Sequence, residues 1–338
     1  MNAIEMRGLR KVYKGTGKTK RRRAPAAGAS GWPSGAPAAP ANDVIALDSL
    51  DLDIGAGEFF GLLGPNGAGK TTAIGILTTR ILPTAGKALV AGADVVADSV
   101  RVRQLIGVVP QRPNADLSLS VLENLQFHAA YFCIPFDVAT KRAYELMERL
   151  GLSEKAGARM AELSGGQQQR LMIVRALMHE PDILFLDEPT VGLDPQARLD
   201  LWEILRDLHK RGRTIVMTTH YMDEADRLCD RLAIIDRGKL LALDTPRALK
   251  DRAPGGTLIE LVLDGDAMPA AEIAETIKGV SRVEARDGTL RAHSSRGGQI
   301  LPALIEAAET AGRTVTDIHL LQPSLETLFV SLTGRKLG

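Results

Sequence analysis

Only two cysteines occur in 338 residues, Cys133 and Cys229, far apart and without a CxxC unit. That spacing excludes a thiolate zinc unit and a disulfide framework, and it fits a reducing compartment. Long apolar runs are missing as well: none approaches the roughly 18–20 residues that span a bilayer. Met1 to Lys14 is polar and basic and lacks the apolar segment of a secretory signal. The chain is therefore expected to stay in the cytosol and to serve a membrane only through another polypeptide. An excess of one charge is also absent. Lys and Arg number 42 against 41 Asp and Glu, a net charge of +1, so no nucleic-acid partner is expected. What is present is an ordinary globular composition, 45% apolar and 25% charged. The length suits one large domain and a smaller one.

Ile4 to Tyr13 reads as a short strand that breaks at Gly15. Residues 15–42 then carry Lys18, Lys20, Arg21, Arg22 and Arg23, followed by Ala, Pro, Gly and Ser. That is too little apolar content to fold and too much Pro and Gly for a helix. The segment reads as a disordered surface insertion, either a passive solvated loop or a basic tether for anionic lipid. From Val44, short apolar strands alternate with amphipathic helices. Phe59–Leu63, Leu105–Val109, Ile183–Leu186 and Thr214–Thr219 have the continuous apolar runs of strands buried on both faces of a largely parallel sheet. Leu146, Met147 and Leu150, and Leu201, Leu205 and Leu208, mark helices by their spacing. Leu232–Leu243 reads as a hairpin turning at Arg237-Gly238.

The texture changes after the linker Asp251–Gly256. Strands are expected over Leu258–Leu263, Val283–Arg286, Thr289–Ala292 and Thr314–Leu320, and helices over Ala270–Ile277, Ile300–Ala311 and Leu325–Leu332. That is a small α+β domain of split βαβ type, and it carries no chemical motif.

The chemistry lies earlier. Gly64-Pro65-Asn66-Gly67-Ala68-Gly69-Lys70-Thr71 matches GxxxxGK(S/T) between a strand and a helix, the context that motif needs. Glycines let backbone N–H groups close around phosphate oxygens, and the helix N-terminus adds positive potential. Lys70 would reach the β- and γ-phosphates, and Thr71 would ligate Mg²⁺. Ile183–Leu186 delivers Asp187 and Glu188 at the end of a buried strand, pointing into the crevice where open α/β sheets bind ligands. Asp187 would hold Mg²⁺ and Glu188 would polarise the attacking water; the bland alternative is a solvated loop start before Pro189. Leu163-Ser164-Gly165-Gly166-Gln167 has two compatible readings. Ser164 and Gln167 form a capping box, and two bare glycines at a capped helix N-terminus make an anion site open to close approach.

The order Tyr13, GPNGAGKT, Gln111, LSGGQ, ILFLDE, the GLD of Gly192–Asp194, and His220 resembles the ATP-binding cassette (ABC) family over about residues 3–245. The resemblance implies an α/β fold of P-loop ATPase type. Its largely parallel sheet would be joined by an antiparallel β portion and a helical subdomain at about 112–175. Residues 1–248 would form the ATP-binding domain and 257–338 an accessory α+β domain. It further implies that Tyr13 stacks on adenine, its alternative being a strand aromatic in the core. Gly64 to Thr71 together with Thr72 would bind ATP. Gln111 would sense Mg²⁺ and water, and His220 would contact the γ-phosphate. Catalysis would rest on Glu188, His220, Gln111 and Lys70, and the metal would be held by Thr71, Gln111 and Asp187. Asp194, with Pro195 after it, is also a good helix N-cap. Ser164, Gly165, Gly166, Gln167 and Asp194 would reach the ATP of a second copy, so the working unit is expected to be a homodimer.

The tail Gln322-Pro323-Ser324-Leu325-Glu326-Thr327-Leu328-Phe329, with Leu332-Thr333-Gly334, resembles the daunorubicin/doxorubicin-type exporter branch. That implies an integral membrane permease as partner and a peripheral location on the cytoplasmic face of the cell membrane. The same four apolar residues, Leu325, Leu328, Phe329 and Leu332, also suit the buried face of a plain amphipathic helix. An importer motor of the same family and a soluble cassette acting on DNA or ribosomes remain alternatives. The single cassette, without zinc motifs or long charged linkers, argues against the last. Deleting residues 15–42 is expected to leave ATPase activity largely intact. Loss of nucleotide binding in a filter or fluorescence assay would show that the insertion is not a passive loop.

Overall fold

The computed structural model describes residues 2–14, 43–254, 256–294 and 297–335. The insertion expected at 15–42 lies outside them. The chain opens with β1 (Asn2–Tyr13), β2 (Val44–Gly55) and β3 (Phe59–Leu63), which leads into α1 (Lys70–Leu77). Next come β4 (Ala85–Val90), β5 (Ala93–Asp94), α2 (Ser99–Leu105) and β6 (Ile106–Val109). Leu105 therefore ends a helix instead of starting a strand. The β-branched Ile106 takes over as the first strand residue, in keeping with the two propensities. A helical region follows, α3 (Val121–Tyr131), α4 (Phe136–Arg149) and α5 (Gly165–Leu177). The cassette closes with β7 (Ile183–Asp187), α6 (Pro195–Lys210), β8 (Thr214–Thr219), α7 (Met222–Leu228), β9 (Arg231–Asp236), β10 (Lys239–Asp244) and α8 (Pro246–Asp251).

The central sheet runs β10-β9-β3-β8-β7-β6, parallel throughout except for the β9–β10 hairpin. Every residue of β3, β7 and β8 is buried, which is why their sequences read as unbroken apolar runs. Successive residues serve opposite faces. Leu184 and Leu186 join the core shared with α3 to α6, while Ile183 and Phe185 join the one shared with α1 and the antiparallel sheet β2-β1-β4-β5. Since β3, β8, β7 and β6 are parallel neighbours, their C-terminal ends share one edge. That edge therefore carries residues 64–70, Thr219-His220, Asp187-Glu188 and Gln111 together.

The C-terminal region comprises β11 (Thr257–Leu263), α9 (Met268–Ala274), β12 (Val280–Arg286), β13 (Thr289–Ser294), α10 (Leu301–Thr310), β14 (Val315–Leu321) and α11 (Leu325–Thr333). Its sheet, β12-β13-β11-β14, is antiparallel throughout, with β13 inserted between the β11–α9–β12 strands. That is the split βαβ arrangement, and α9 and α10 cover the face bearing Ile259, Leu261 and Leu290.

The last helix departs from the expected partition. α11 contributes Leu325, Leu328 and Phe329 to the cassette core beside Leu228, Leu249 and Ala253, and nothing to the C-terminal core. Leu332, expected on the same apolar face, is 42% exposed. The helix is capped at one end by Ser324, which accepts from the Thr327 N–H, and at the other by Gly334 at φ 72°. Arg335 pairs with Asp236 just beyond it. The chain thus leaves the cassette, builds the small domain, and returns to the cassette.

Candidate functional site

Between β3 and α1 the loop 64–69 is held tightly enough that a side chain is excluded at Gly64 and at Gly69. A Cβ at Gly64 would lie 2.2 Å from the Ile235 carbonyl oxygen. Gly69 sits at φ 107°, with the Ala46 oxygen 2.4 Å from where its Cβ would be. The loop is also tied from outside, because the Gly238 N–H donates to the Ala68 oxygen at 2.8 Å. Sequence reading found Gly238 only as a hairpin turn. Its part in bracing the loop is a tertiary contact with no local signature.

Lys70, 4% exposed, donates to the Gly64 oxygen at 2.7 Å and the Pro65 oxygen at 3.2 Å. Its Nζ also lies 3.2 Å from Glu188 Oε1. Glu188 itself is 7% exposed and sits at φ 50°, a left-handed conformation that costs a non-glycine residue about 1–3 kcal/mol. Its backbone N–H donates to the Thr218 oxygen and hydroxyl, at 3.1 and 2.9 Å, and this holds the strained turn. Gln111 donates to Glu188 Oε2 at 2.9 Å. His220 Nδ1 stands 3.4 Å from Oε1, within ion-pair range but not hydrogen-bonded. Three side chains from the ends of three different elements thus meet one buried carboxylate.

Asp187 Oδ1 accepts from Thr218 Oγ1 at 2.6 Å and from Thr71 Oγ1 at 3.3 Å. Hydroxyl and carboxylate oxygens are the donor set a small hard cation takes, with substrate oxygens and water completing its shell. The residues present therefore fit a phosphate-bridging divalent metal, although the described residues hold no cluster of three or more His, Cys, Asp or Glu. Thr218 was not singled out from sequence. Its only signal was a polar residue inside a strand whose every neighbour is buried.

Behind this layer sits Glu224, 0% exposed, which accepts from Trp202 Nε1 at 3.1 Å. Burial pushes its carboxyl up from the ordinary value, and the hydrogen bond from Trp202 pulls the other way. It anchors α7 (Met222–Leu228) to α6.

The remaining candidates are not brought to this carboxylate. Ser164 caps α5: its hydroxyl accepts from the Gln167 N–H at 3.3 Å and its N–H donates to Gln167 Oε1 at 3.0 Å. Both Ser164 and Gly165 are exposed. A Cβ at Gly166 would come within 3.0 Å of Ala197 Cβ, so that glycine also permits close packing of α5 on α6. Asp194 caps α6 by accepting from the Ala197 N–H at 2.8 Å. No described hydrogen bond or ion pair joins residues 164–167 or Asp194 to the phosphate loop, Gln111, Asp187, Glu188 or His220 of the same chain. Tyr13, 41% exposed, ends β1 opposite Val44, two residues before the Ala46 that abuts Gly69. Lys11 Nζ lies over its ring, 5.1 Å from the centroid.

Residues 47–191 match the ABC transporter family. The Nod factor export ATP-binding protein I of Ralstonia nicotianae is 40% identical over 296 residues, covering 86% of this chain and 90% of that protein. The daunorubicin resistance ATP-binding protein DrrA2 of Streptomyces coeruleorubidus is 40% identical over 299 residues, covering 86% and 91%. Among solved structures, a dimeric ATP-binding cassette in a post-hydrolysis state bound to ADP and Pi superposes with a TM-score of 0.60 at 26% identity. That match covers 72% of this chain and 98% of the other.

Proposed function

This chain belongs to the ABC transporter family, and on that premise we propose that it is the ATP-hydrolysing motor of an exporter whose transmembrane pathway is a separate permease. It is an ATPase of that family. Export is favoured over import by relatives named for Nod factor export and daunorubicin resistance. No described helix is long and apolar enough to cross a membrane; this chain would sit peripherally at the cytoplasmic face of the cell membrane, with an integral membrane permease on another chain.

The observation that carries the catalytic reading is the convergence of Lys70, Gln111 and His220 on Glu188. In the proposed mechanism the phosphate loop and Lys70 bind the β- and γ-phosphates, and Glu188 orients and polarises the water that attacks in line. Gln111 and His220 border that water and the γ-phosphate. Thr71 and Asp187, with Gln111, would hold Mg²⁺, which when bound neutralises charge developing on the phosphates. With buried groups already in place, positioning and electrostatics supply most of the barrier reduction.

Ser164, Gly165 and Asp194 are exposed and residues 164–167 and Asp194 make no described bond to the phosphate loop of their own chain, so a second copy would bring them onto ATP. The two copies would be related by a two-fold axis, with each ATP bridging one phosphate loop and the other copy's helix α5. The permease would dock where α3 and α4 expose Phe127 (56%), Tyr131 (73%) and Phe136 (70%), an apolar cluster beyond what a solvated face needs. The groove alongside runs from Gln111 past Arg112, Phe132 and His179. Burial pushes His128 in its wall down to about 4, so the charge there comes from arginine.

Tyr13→Ala is expected to raise KM for ATP about tenfold with kcat little changed, the loss of one base–aromatic stack. An unchanged KM for ATP in Tyr13→Ala would mean that Tyr13 touches no base. The transporter reading itself is tested by recovering tagged Glu188→Gln protein from its native membranes with ATP and Mg²⁺. A stoichiometric integral membrane protein is expected; recovery of only ribosomal or nucleic-acid components would remove the exporter and leave the ATPase.

A further inference from the structure

The C-terminal sheet has two free edges among the described residues, β12 and β14, and they are built differently. β12 carries Arg282, Glu284 and Arg286, with Arg282 and Glu284 paired at 2.6 Å. Such charges keep an edge strand from recruiting another chain. β14 has no proline, lysine or arginine over its seven residues, and it exposes Ile318 (37%), Leu320 (47%) and Leu321 (52%). We propose that β14 is a docking edge for a second copy of this chain, the two β14 strands pairing antiparallel about a two-fold axis at Ile318. Two four-stranded sheets would then become one continuous sheet.

The backbone selects the register. The Ile318 N–H bonds to Asp317 Oδ1 at 2.7 Å and not to β11, so it points to the free edge. In an antiparallel ladder outward-facing residues alternate, which puts Leu320 on the same side, while the ladder is interrupted by a bulge at Thr316, whose hydroxyl donates to the Val262 oxygen of β11 at 3.0 Å. A two-fold at Ile318 exchanges the N–H and C=O of that residue between copies, and Asp317 Oδ1 is released from the N–H it now caps. Asp317 is then set opposite His319 of the second copy, and this happens twice. Those are non-hydrogen-bonded positions, where Cα atoms approach to about 4.5 Å and side chains lie closest. Within one chain Asp317 and His319 already stand 3.3 Å apart, so pairing sets two carboxylates and two imidazoles in alternation across the axis.

The other centres fail. Thr316 lies at the bulge and offers no regular ladder position, and centring on Leu320 sets Asp317 against Pro323, which has no N–H to share. The strand is thus self-complementary in one register, as an isologous contact requires. This contact needs no nucleotide and is separate from the ATP-bridged contact of the cassettes.

The test is sedimentation of the full chain without nucleotide at tens of micromolar. Dimer is expected for the wild type. Ile318→Lys, which sets two ammonium groups face to face at the axis, is expected to sediment as monomer with an unchanged melting curve and unchanged basal ATPase activity. In a Cys133→Ser background, oxidation of the Ile318→Cys variant is expected to cross-link most chains, because paired Cα atoms at such a site lie within disulfide reach. Arg282→Cys on the opposite edge is expected not to cross-link. A wild type that is monomeric without nucleotide, an Ile318→Lys variant that stays dimeric, or equal cross-linking at the two edges would each overturn the proposal.

Discussion

Glu188→Gln is expected to lower ATP turnover by about 10²- to 10⁴-fold, the range for loss of a positioned general base, while ATP binding persists. The change is nearly isosteric, so the turn at φ 50° and its two hydrogen bonds to Thr218 have no reason to move. What changes is charge. The amide can still sit beside Gln111 and His220, but it no longer takes a proton from water. Lys70 keeps its two carbonyl partners, Gly64 and Pro65, and remains aimed at the phosphates. Because hydrolysis is what releases an ATP-bridged pair, the variant combined with Ile318→Lys, which removes the β14 contact, is also expected to accumulate as a dimer in ATP and Mg²⁺. Single-turnover kinetics and light scattering read the two effects separately. Normal turnover would remove Glu188 from water activation. Weak ATP binding with no dimer would mean instead that the carboxylate serves mainly to hold Lys70.

The second large effect lies far from the chemistry. Phe329→Ala is expected to destabilise the cassette by about 3–5 kcal/mol, the cost of emptying a large aromatic site in a packed core. Phe329 is 0% exposed and shares its cluster with Leu228, Leu249 and Ala253. Trp202 provides the probe. It is buried in the same cluster and stacks near Arg227 of α7, against which α11 packs. With Trp32→Phe to remove the other tryptophan, the urea midpoint of Trp202 fluorescence should fall sharply. Truncation after Gln322 should do the same. If the Trp202 transition is unmoved and only the C-terminal domain melts early, the helix belongs to that domain and not to the cassette.

The two predictions differ in how legible they were. Glu188 could be read from a six-residue window: four apolar residues demand a buried strand, and two acids at its end must emerge where that strand stops. Gly64 to Lys70 is contiguous for the same reason, since one loop must wrap one phosphate group. The Ser164 capping box is likewise a contact between residues three apart. Phe329 was legible only as half of a statement. Spacing at 325, 328, 329 and 332 says that a face is apolar, but spacing carries no information about what covers it. Leu332 shows the limit, since it obeys the spacing and remains 42% exposed. Thr218, Gly238 and Glu224 were missed because each acts through a partner distant in sequence. Thr218 joins Asp187 and Glu188 across a strand pair, and Gly238 holds a loop 170 residues earlier through one hydrogen bond to Ala68.

By itself the sequence determined the chemistry of the groups and the strands and helices that carry them. Hydrophobic periodicity and short-range hydrogen bonding are local, so they can be read locally. Only the tertiary structure decided which strand ends share an edge, which side chains gather on Glu188, that α11 closes the cassette, and that β14 is left with an open edge. Those outcomes depend on how long apolar runs from distant parts of the chain bury one another, and burial energy is proportional to area without regard to sequence separation.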